Sequence, residues 1–336
     1  MSRCVIVLLL VALLVVSISH AKKLALPKEI TSNLQPCDGT TTKKGDFCTL
    51  PLLAASPTQL PVGLGEIYCK IQKLENNYAS ETKLIEKYLH KNPVPVVKGP
   101  SSTGGNKRNF YVVDHHHLIV ALYKSSFDAD DFPTFTDVGK RFVIAQVVDD
   151  LTTNFTSAST VFWNYMFSNG FAYPRDESGK NLTITQFMTS LPPNIMTMRN
   201  DPYRALSYYD RSYGGYGKPS TNAIYFVDFV WGNFLRTYGG NDMSSKLTPF
   251  QSVLVKDAAV KNGGSYDMKS EFKVQTSLIG SAVALSKSTM AQSLPGYGEG
   301  IVDVPYCLES YEISSSQSSS TKKKVILLSD NESSDE

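Results

Sequence analysis

The sequence predicts an α+β protein: a small mixed core followed by a mainly α-helical C-terminal extension. Two short segments, Pro93–Val97 and Asn109–Val113, are rich in β-branched and aromatic residues and sit among stretches with helical periodicity. Downstream, aromatic-rich runs at Thr160–Phe167 and Ile224–Thr237 and a small-residue run at Gly280–Ser293 read as helices. The body between about residues 30 and 310 of this 336-residue chain is long enough for one large domain of this kind.

Residues 1–21 read as a secretory signal peptide. Arg3 supplies a positive start, Val5–Val16 is an almost unbroken apolar run, and Ser19-His20-Ala21 has the small-x-small form of a cleavage site. The apolar run is shorter than the ~20 residues a membrane span requires. A soluble protein, secreted or held in the lumen of the secretory or lysosomal pathway, is therefore expected. Sequons at Asn154, Asn181 and Asn331 fit N-glycosylation in that compartment.

Residues 22–49 form an N-terminal arm expected to bear a disulfide. Loss of Cys4 with the leader leaves Cys37, Cys48, Cys69 and Cys307, an even number suited to an oxidising compartment. The preferred pairing is Cys37–Cys48, closing a Gly- and Thr-rich loop, and Cys69–Cys307, clasping the end of the chain onto the core. Two other connectivities remain open. No Cys-x-x-Cys knuckle is present to suggest a structural zinc.

The core is expected over residues 50–125. Gly65–Glu81 places Ile67, Ile71 and Leu74 on one helical stripe, and Glu81–Leu89 continues that helix or forms a second. Prolines 93 and 95 favour extended geometry, and Ser101–Asn106 reads as a turn. The strand Asn109–Val113 then runs into Asp114-His115-His116-His117, followed by the apolar helical segment Leu118–Lys124. Three of the chain's five histidines occupy this one junction. Residues 126–309 are expected as a helical extension packed on the core. The Ser-rich, charged tail at 310–336 lacks the apolar content to fold.

The formal net charge is +2, and loss of Arg3 leaves +1. Charge so close to neutral disfavours a broadly basic nucleic-acid-binding face and confines any such site to a local groove.

Several separated motifs carry a resemblance. Pro57-Thr58-Gln59 precedes Val62-Gly63 and Glu66; Asp114-His115-His116-His117-Leu118 follows; then come Asp201-Pro202-Tyr203-Arg204, Gly214-Gly215-Tyr216 and the closing Leu294-Pro295-Gly296-Tyr297. Together they resemble the ParB-like nucleases of the ParB/sulfiredoxin fold over about residues 50–300. The resemblance implies a ParB/sulfiredoxin-like core with a helical extension, and nucleic acid or nucleotide as partner. Fold relatives bind phosphate at the strand-to-helix junction. Where they carry arginines or a Gly-Gly-Cys-His-Arg element, this chain has Asp114 and His115–His117, so neither triphosphate binding nor reductase chemistry transfers directly.

A helix start binds anions through its free amide groups and macrodipole, and the same dipole favours neutral histidine. Neutral imidazole is the form of a general base or a metal ligand. Asp114, His115, His116 and His117 are thus the catalytic candidates, with Asp114 also a natural N-cap. Consecutive helical side chains diverge by about 100°, so one or two of the histidines, His115 and His116 first, are expected to act. Lys70, Lys73, Arg204 and Gln59 are the candidate phosphate-binding residues, although the lysines equally suit a solvated helix face. Asp201 reads as a cap and Gly214-Gly215-Tyr216 as a turn, while Trp163 and Trp231 read as core residues. A divalent Zn²⁺ or Mn²⁺ with Asp114 is an option that lacks the His-x-x-x-His spacing of a helical metal site. Three functions follow: a secreted nuclease or phosphodiesterase, a non-catalytic nucleotide- or phosphate-binding module, and a small-metabolite phosphotransferase.

Overall fold

The computed structural model describes residues 34–78, 82–101, 109–125, 138–219, 224–247 and 268–303. The expected signal peptide, Cys307, Asn331, most of the 101–106 turn and the tail lie outside the described residues.

Five strands form one mixed sheet in the order β1-β6-β4-β5-β2. These are β1 (Phe47–Pro51), β2 (Ala55–Ser56), β4 (Val94–Lys98), β5 (Phe110–Val112) and β6 (Phe142–Asp150). β1 and β6 pair antiparallel, β6 and β4 parallel, β4 and β5 antiparallel, and β5 and β2 parallel. A second, two-stranded ladder joins β3 (Pro61–Val62) in parallel to β7 (Arg199–Asn200), tying the early chain to the later helices.

The helices are α1 (Leu64–Tyr78), α2 (Thr82–Lys91), α3 (His116–Lys124), α4 (Thr160–Ser168), α5 (Ile184–Ser190), α6 (Pro202–Ser212), α7 (Val227–Tyr238) and α8 (Met268–Ser286). The α+β expectation therefore holds. One element differs from the sequence reading: residues 142–150, assigned there to the helical extension, form the longest strand of the sheet. Val143, Ile144, Ala145 and Val147 are all buried, and so is Gln146 between them, so this strand lacks the alternation of a half-exposed strand.

Three hydrophobic clusters organise the interior. The first joins the sheet to α1, α2 and α3 through residues such as Val96, Val112, Ile119 and Val147. The second packs α6, α7 and α8 around Leu206, Trp231, Leu235 and Leu278. The third sets Phe162, Trp163 and Phe187 of α4 and α5 against Tyr111 and Val113. Trp163 and Trp231 are core residues, as expected. The Cys37–Cys48 disulfide forms, with Cα atoms 4.9 Å apart, and ties the N-terminal arm to β1.

Candidate functional site

The junction begins where β5 ends. Val112 and Val113 are buried, and the next two residues redirect the chain into α3. Asp114 is not the N-cap; that position belongs to His115, which adopts a left-handed conformation with φ 66° and ψ 20°. The Asp114 carboxylate instead accepts the His115 amide at 2.7 Å. The reason is local: the left-handed turn at His115 sets the helix direction, and Asp114 stabilises that turn rather than the helix start. A non-glycine residue with positive φ costs about 1–3 kcal/mol and persists where its surroundings impose it. Among the described residues only His115 and Phe226 do this without being glycine, and each is an N-cap lacking a side-chain cap hydrogen bond, Phe226 for α7.

The left-handed turn separates the roles of the three histidines. His117 accepts the Gly63 amide on Nε2 at 2.8 Å, which puts its proton on Nδ1, 3.8 Å from the Glu66 carboxylate. Both of its ring nitrogens are thereby oriented within the fold. His116 lies 1% exposed, and its Nε2 accepts a long hydrogen bond of 3.4 Å from the Thr58 amide. His115 is half-buried, with Nδ1 enclosed, and neither ring nitrogen is hydrogen-bonded among the described residues. The first hydrogen bonds of α3 run from Leu118 and Ile119 to the His115 carbonyl, so the His116 and His117 amides are the free donors of the helix start.

Burial pushes all three imidazoles down, His115 to about 4 and His116 and His117 to about 3. Lys218 and Lys70 oppose protonation of His115 further, whereas Asp114 favours it. Burial opposes ionisation of Asp114, yet His115, Lys218 and the His115 amide hold its carboxyl below the usual range. The electrostatic neighbours of the junction are thus Lys218 and Lys70, with Tyr225 close enough to be pushed up to about 12 by its own burial and by the Asp114 charge.

Behind the junction lies a buried ionic network spanning the three helices α1, α6 and α7. Arg204 Nη2 of α6 is 2.7 Å from Glu66 Oε2 of α1 and 2.9 Å from Asp228 Oδ2 of α7. Arg211 and the Tyr216 hydroxyl both donate to Asp228 Oδ1, and Tyr216 stacks on Trp231 with ring centroids 4.3 Å apart. Burial opposes ionisation of Glu66, but Arg204 foremost, with His117 and Lys70, holds its carboxyl well below the usual range. Two carboxylates and two guanidiniums balance, and the Nε and Nη1 donors of Arg204 remain buried without a partner among the described residues.

The structure sorts the phosphate candidates. Lys70 is half-buried and pairs with Glu66 at 3.4 Å, while still acting on His115. Lys73 is exposed, with its ammonium 5.8 Å from the Tyr88 ring centroid. Gln59 is buried and donates to the Pro61 carbonyl at 2.7 Å. Arg204, a phosphate-binding candidate whose guanidinium suits an anion or a carboxylate, pairs with the Glu66 and Asp228 carboxylates, because a buried guanidinium requires local counter-charges. Asp201 caps α6 as expected, accepting from the Tyr203 and Arg204 amides.

Sequence reasoning missed Lys218, Arg211 and Asp228. A lone acid in the apolar run Val227-Asp228-Phe229-Val230-Trp231 was the available signal, since a carboxylate there must find buried partners. Among the described residues no group of three or more His, Cys, Asp or Glu is arranged to hold a metal ion. No described helix is long and apolar enough to cross a membrane.

The motif glycines serve close approach. A Cβ at Gly63 would sit 2.8 Å from the Ala205 backbone nitrogen, so this glycine allows α1 to abut α6. A Cβ at Gly215 would overlap the carboxylate of Asp210.

Residues 48–237 match a family model described as "Putative ParB-like nuclease". Four chains of solved structures also match. One is the crystal structure of protein Atu1540 from Agrobacterium tumefaciens, 25% identical, with the similarity covering 75% of this chain and 96% of that one at a TM-score of 0.50. No curated protein sequence matches.

Proposed function

Because this chain belongs to the ParB-like nuclease family, we propose that it hydrolyses a phosphodiester in nucleic acid or a nucleotide at the His115 junction. The observation that carries this reading is the neutral, uncommitted imidazole of His115, held in a left-handed turn beside the free amide donors of α3. Strained residues of this kind cluster where substrates bind, and an uncapped helix start accepts a phosphate oxygen.

In the proposed step, His115 takes a proton from water as the water oxygen attacks phosphorus. The phosphorus–oxygen bond to the leaving alkoxide breaks, and the proton returns to that oxygen or to solvent. The α3 amides and the Lys218 and Lys70 charges offset the negative charge that grows on the phosphoryl oxygens. Ionised Asp114 stabilises the transient imidazolium. His116 and His117 hold the junction in shape.

The test is cleavage of single- and double-stranded DNA and RNA by the purified protein, with and without EDTA. Cleavage that His115→Ala abolishes supports the reading, and absence of cleavage on every substrate sinks it. One observation favours a second reading, binding without turnover: the Arg204 guanidinium behind the junction is already neutralised internally. Calorimetric titration with nucleoside di- and triphosphates separates the two, since tight binding without product marks a binding module.

A further inference from the structure

Among the described asparagines, several spend their side-chain amides inside the fold. Asn92 donates to the Tyr88 carbonyl, Asn169 to the Tyr165 carbonyl and Asn233 to the Tyr173 hydroxyl. Asn154 and Asn181 differ. Both are exposed, the Nδ2 group of neither has a hydrogen-bond partner among the described residues, and each has threonine two positions on. Asn154 lies in the turn after β6, where its Oδ1 accepts from Thr153. Asn181 follows a loop prebuilt by Asp176, whose carboxylate accepts from the Ser178 and Lys180 amides, and it lies two residues before Thr183, the N-cap of α5.

We propose that Asn154 and Asn181 carry N-linked oligosaccharides, attached in the lumen of the secretory pathway. The inference rests on the expectation that residues 1–21 deliver the chain there, and the Cys37–Cys48 disulfide independently fits an oxidising compartment. In the reaction the amide nitrogen displaces the diphosphate from C1 of a lipid-diphosphate-linked oligosaccharide. One carbon–nitrogen bond forms, one carbon–oxygen bond breaks, the lipid diphosphate leaves, and the amide loses one proton.

The packing also sets the order of events. The central residues of the two sequons, Phe155 and Leu182, are partly buried against the cluster built on Phe162, Trp163 and Phe187. The Thr183 hydroxyl is engaged in the capping box of α5 with Gln186. In the folded chain neither sequon is an extended, freely presented tripeptide, so transfer precedes closure of the α4–α5 unit. Once attached, both glycans project from exposed positions without displacing any contact of the core.

The experiment expresses the full chain with its own leader in a eukaryotic secretory host and digests the product with peptide N-glycosidase. The expected result is a downward mobility shift, with Asn154→Gln and Asn181→Gln each removing one increment. Thr183→Ser retains the glycan and Thr183→Ala loses it. A secreted product with no shift overturns the proposal. So does a shift that both Asn→Gln variants leave intact, which assigns all the sugar to Asn331, or a chain retained in the cytosol with its leader attached. Secreted yield of the Asn→Gln proteins reports whether the variants fold.

Discussion

Glu66 and Arg204 lie 138 positions apart in the sequence and meet in the interior at 2.7 Å, α1 against α6, with Asp228 of α7 on the same guanidinium nitrogen. Through this contact the helices of the later chain hold the carboxylate that orients His117, and His117 in turn holds the start of α3. The junction is thus a product of both halves of the chain.

Removing one partner of this network leaves an uncompensated buried charge. Arg204→Ala is expected to cost about 3–5 kcal/mol of stability, whereas a Glu66→Gln, Arg204→Met double variant is expected to cost clearly less than the sum of its single changes. Urea unfolding of the single and double variants measures this, and strict additivity would refute the coupling.

Gly63 is fixed by contact with a neighbouring backbone. Gly63→Ala places a methyl group 2.8 Å from the Ala205 nitrogen and strains the amide that His117 accepts. The expected loss is about 1–3 kcal/mol in chemical denaturation.

Asp210 makes stability depend on pH. It is fully buried on α6, accepts from Ser286 at 2.6 Å, and is pushed up to about 7 by burial, with Asp228 adding and Ser286 and Lys287 opposing. Between the unfolded value near 3.8 and about 7 the folded state holds a proton that the unfolded state has lost. Its contribution is therefore full below pH 3.8 and lost as pH rises through 7. Relative to wild type, Asp210→Asn should gain on the order of 4 kcal/mol between pH 4 and pH 8. Parallel stability curves for the two proteins would contradict this.

The proposed cleavage requires neutral His115. With that imidazole pushed down to about 4, the rate should hold as pH falls through the ordinary histidine range near 6.5 and decline only through about 4. A decline centred near 6.5 would remove His115 as the base.

Much of the helical framework was legible. The stripe of Ile67, Ile71 and Leu74 predicts α1, Asp201-Pro202 marks the start of α6, and the aromatic runs become α4 and α7. The strand Phe142–Asp150 was not, because burial on both faces erases the alternation that distinguishes a strand. At the site the sequence located the junction but not its internal division of labour. Which histidine is committed depends on the left-handed turn at His115 and on Gly63 and Thr58, more than 50 residues away. The destination of Arg204 likewise depends on Asp228, whose partners no local pattern reveals.

The central claim is that His115 acts on substrate while His117 holds the junction together. The most direct measurement pairs thermal unfolding with cleavage for His115→Ala and His117→Ala. The account predicts that His115→Ala, which retains the Cβ in the left-handed turn and breaks no side-chain hydrogen bond among the described residues, keeps the wild-type melting temperature and loses cleavage. It predicts that His117→Ala, which strands the buried Gly63 amide, loses about 1–3 kcal/mol of stability. A His115→Ala protein that cleaves at the wild-type rate would contradict it.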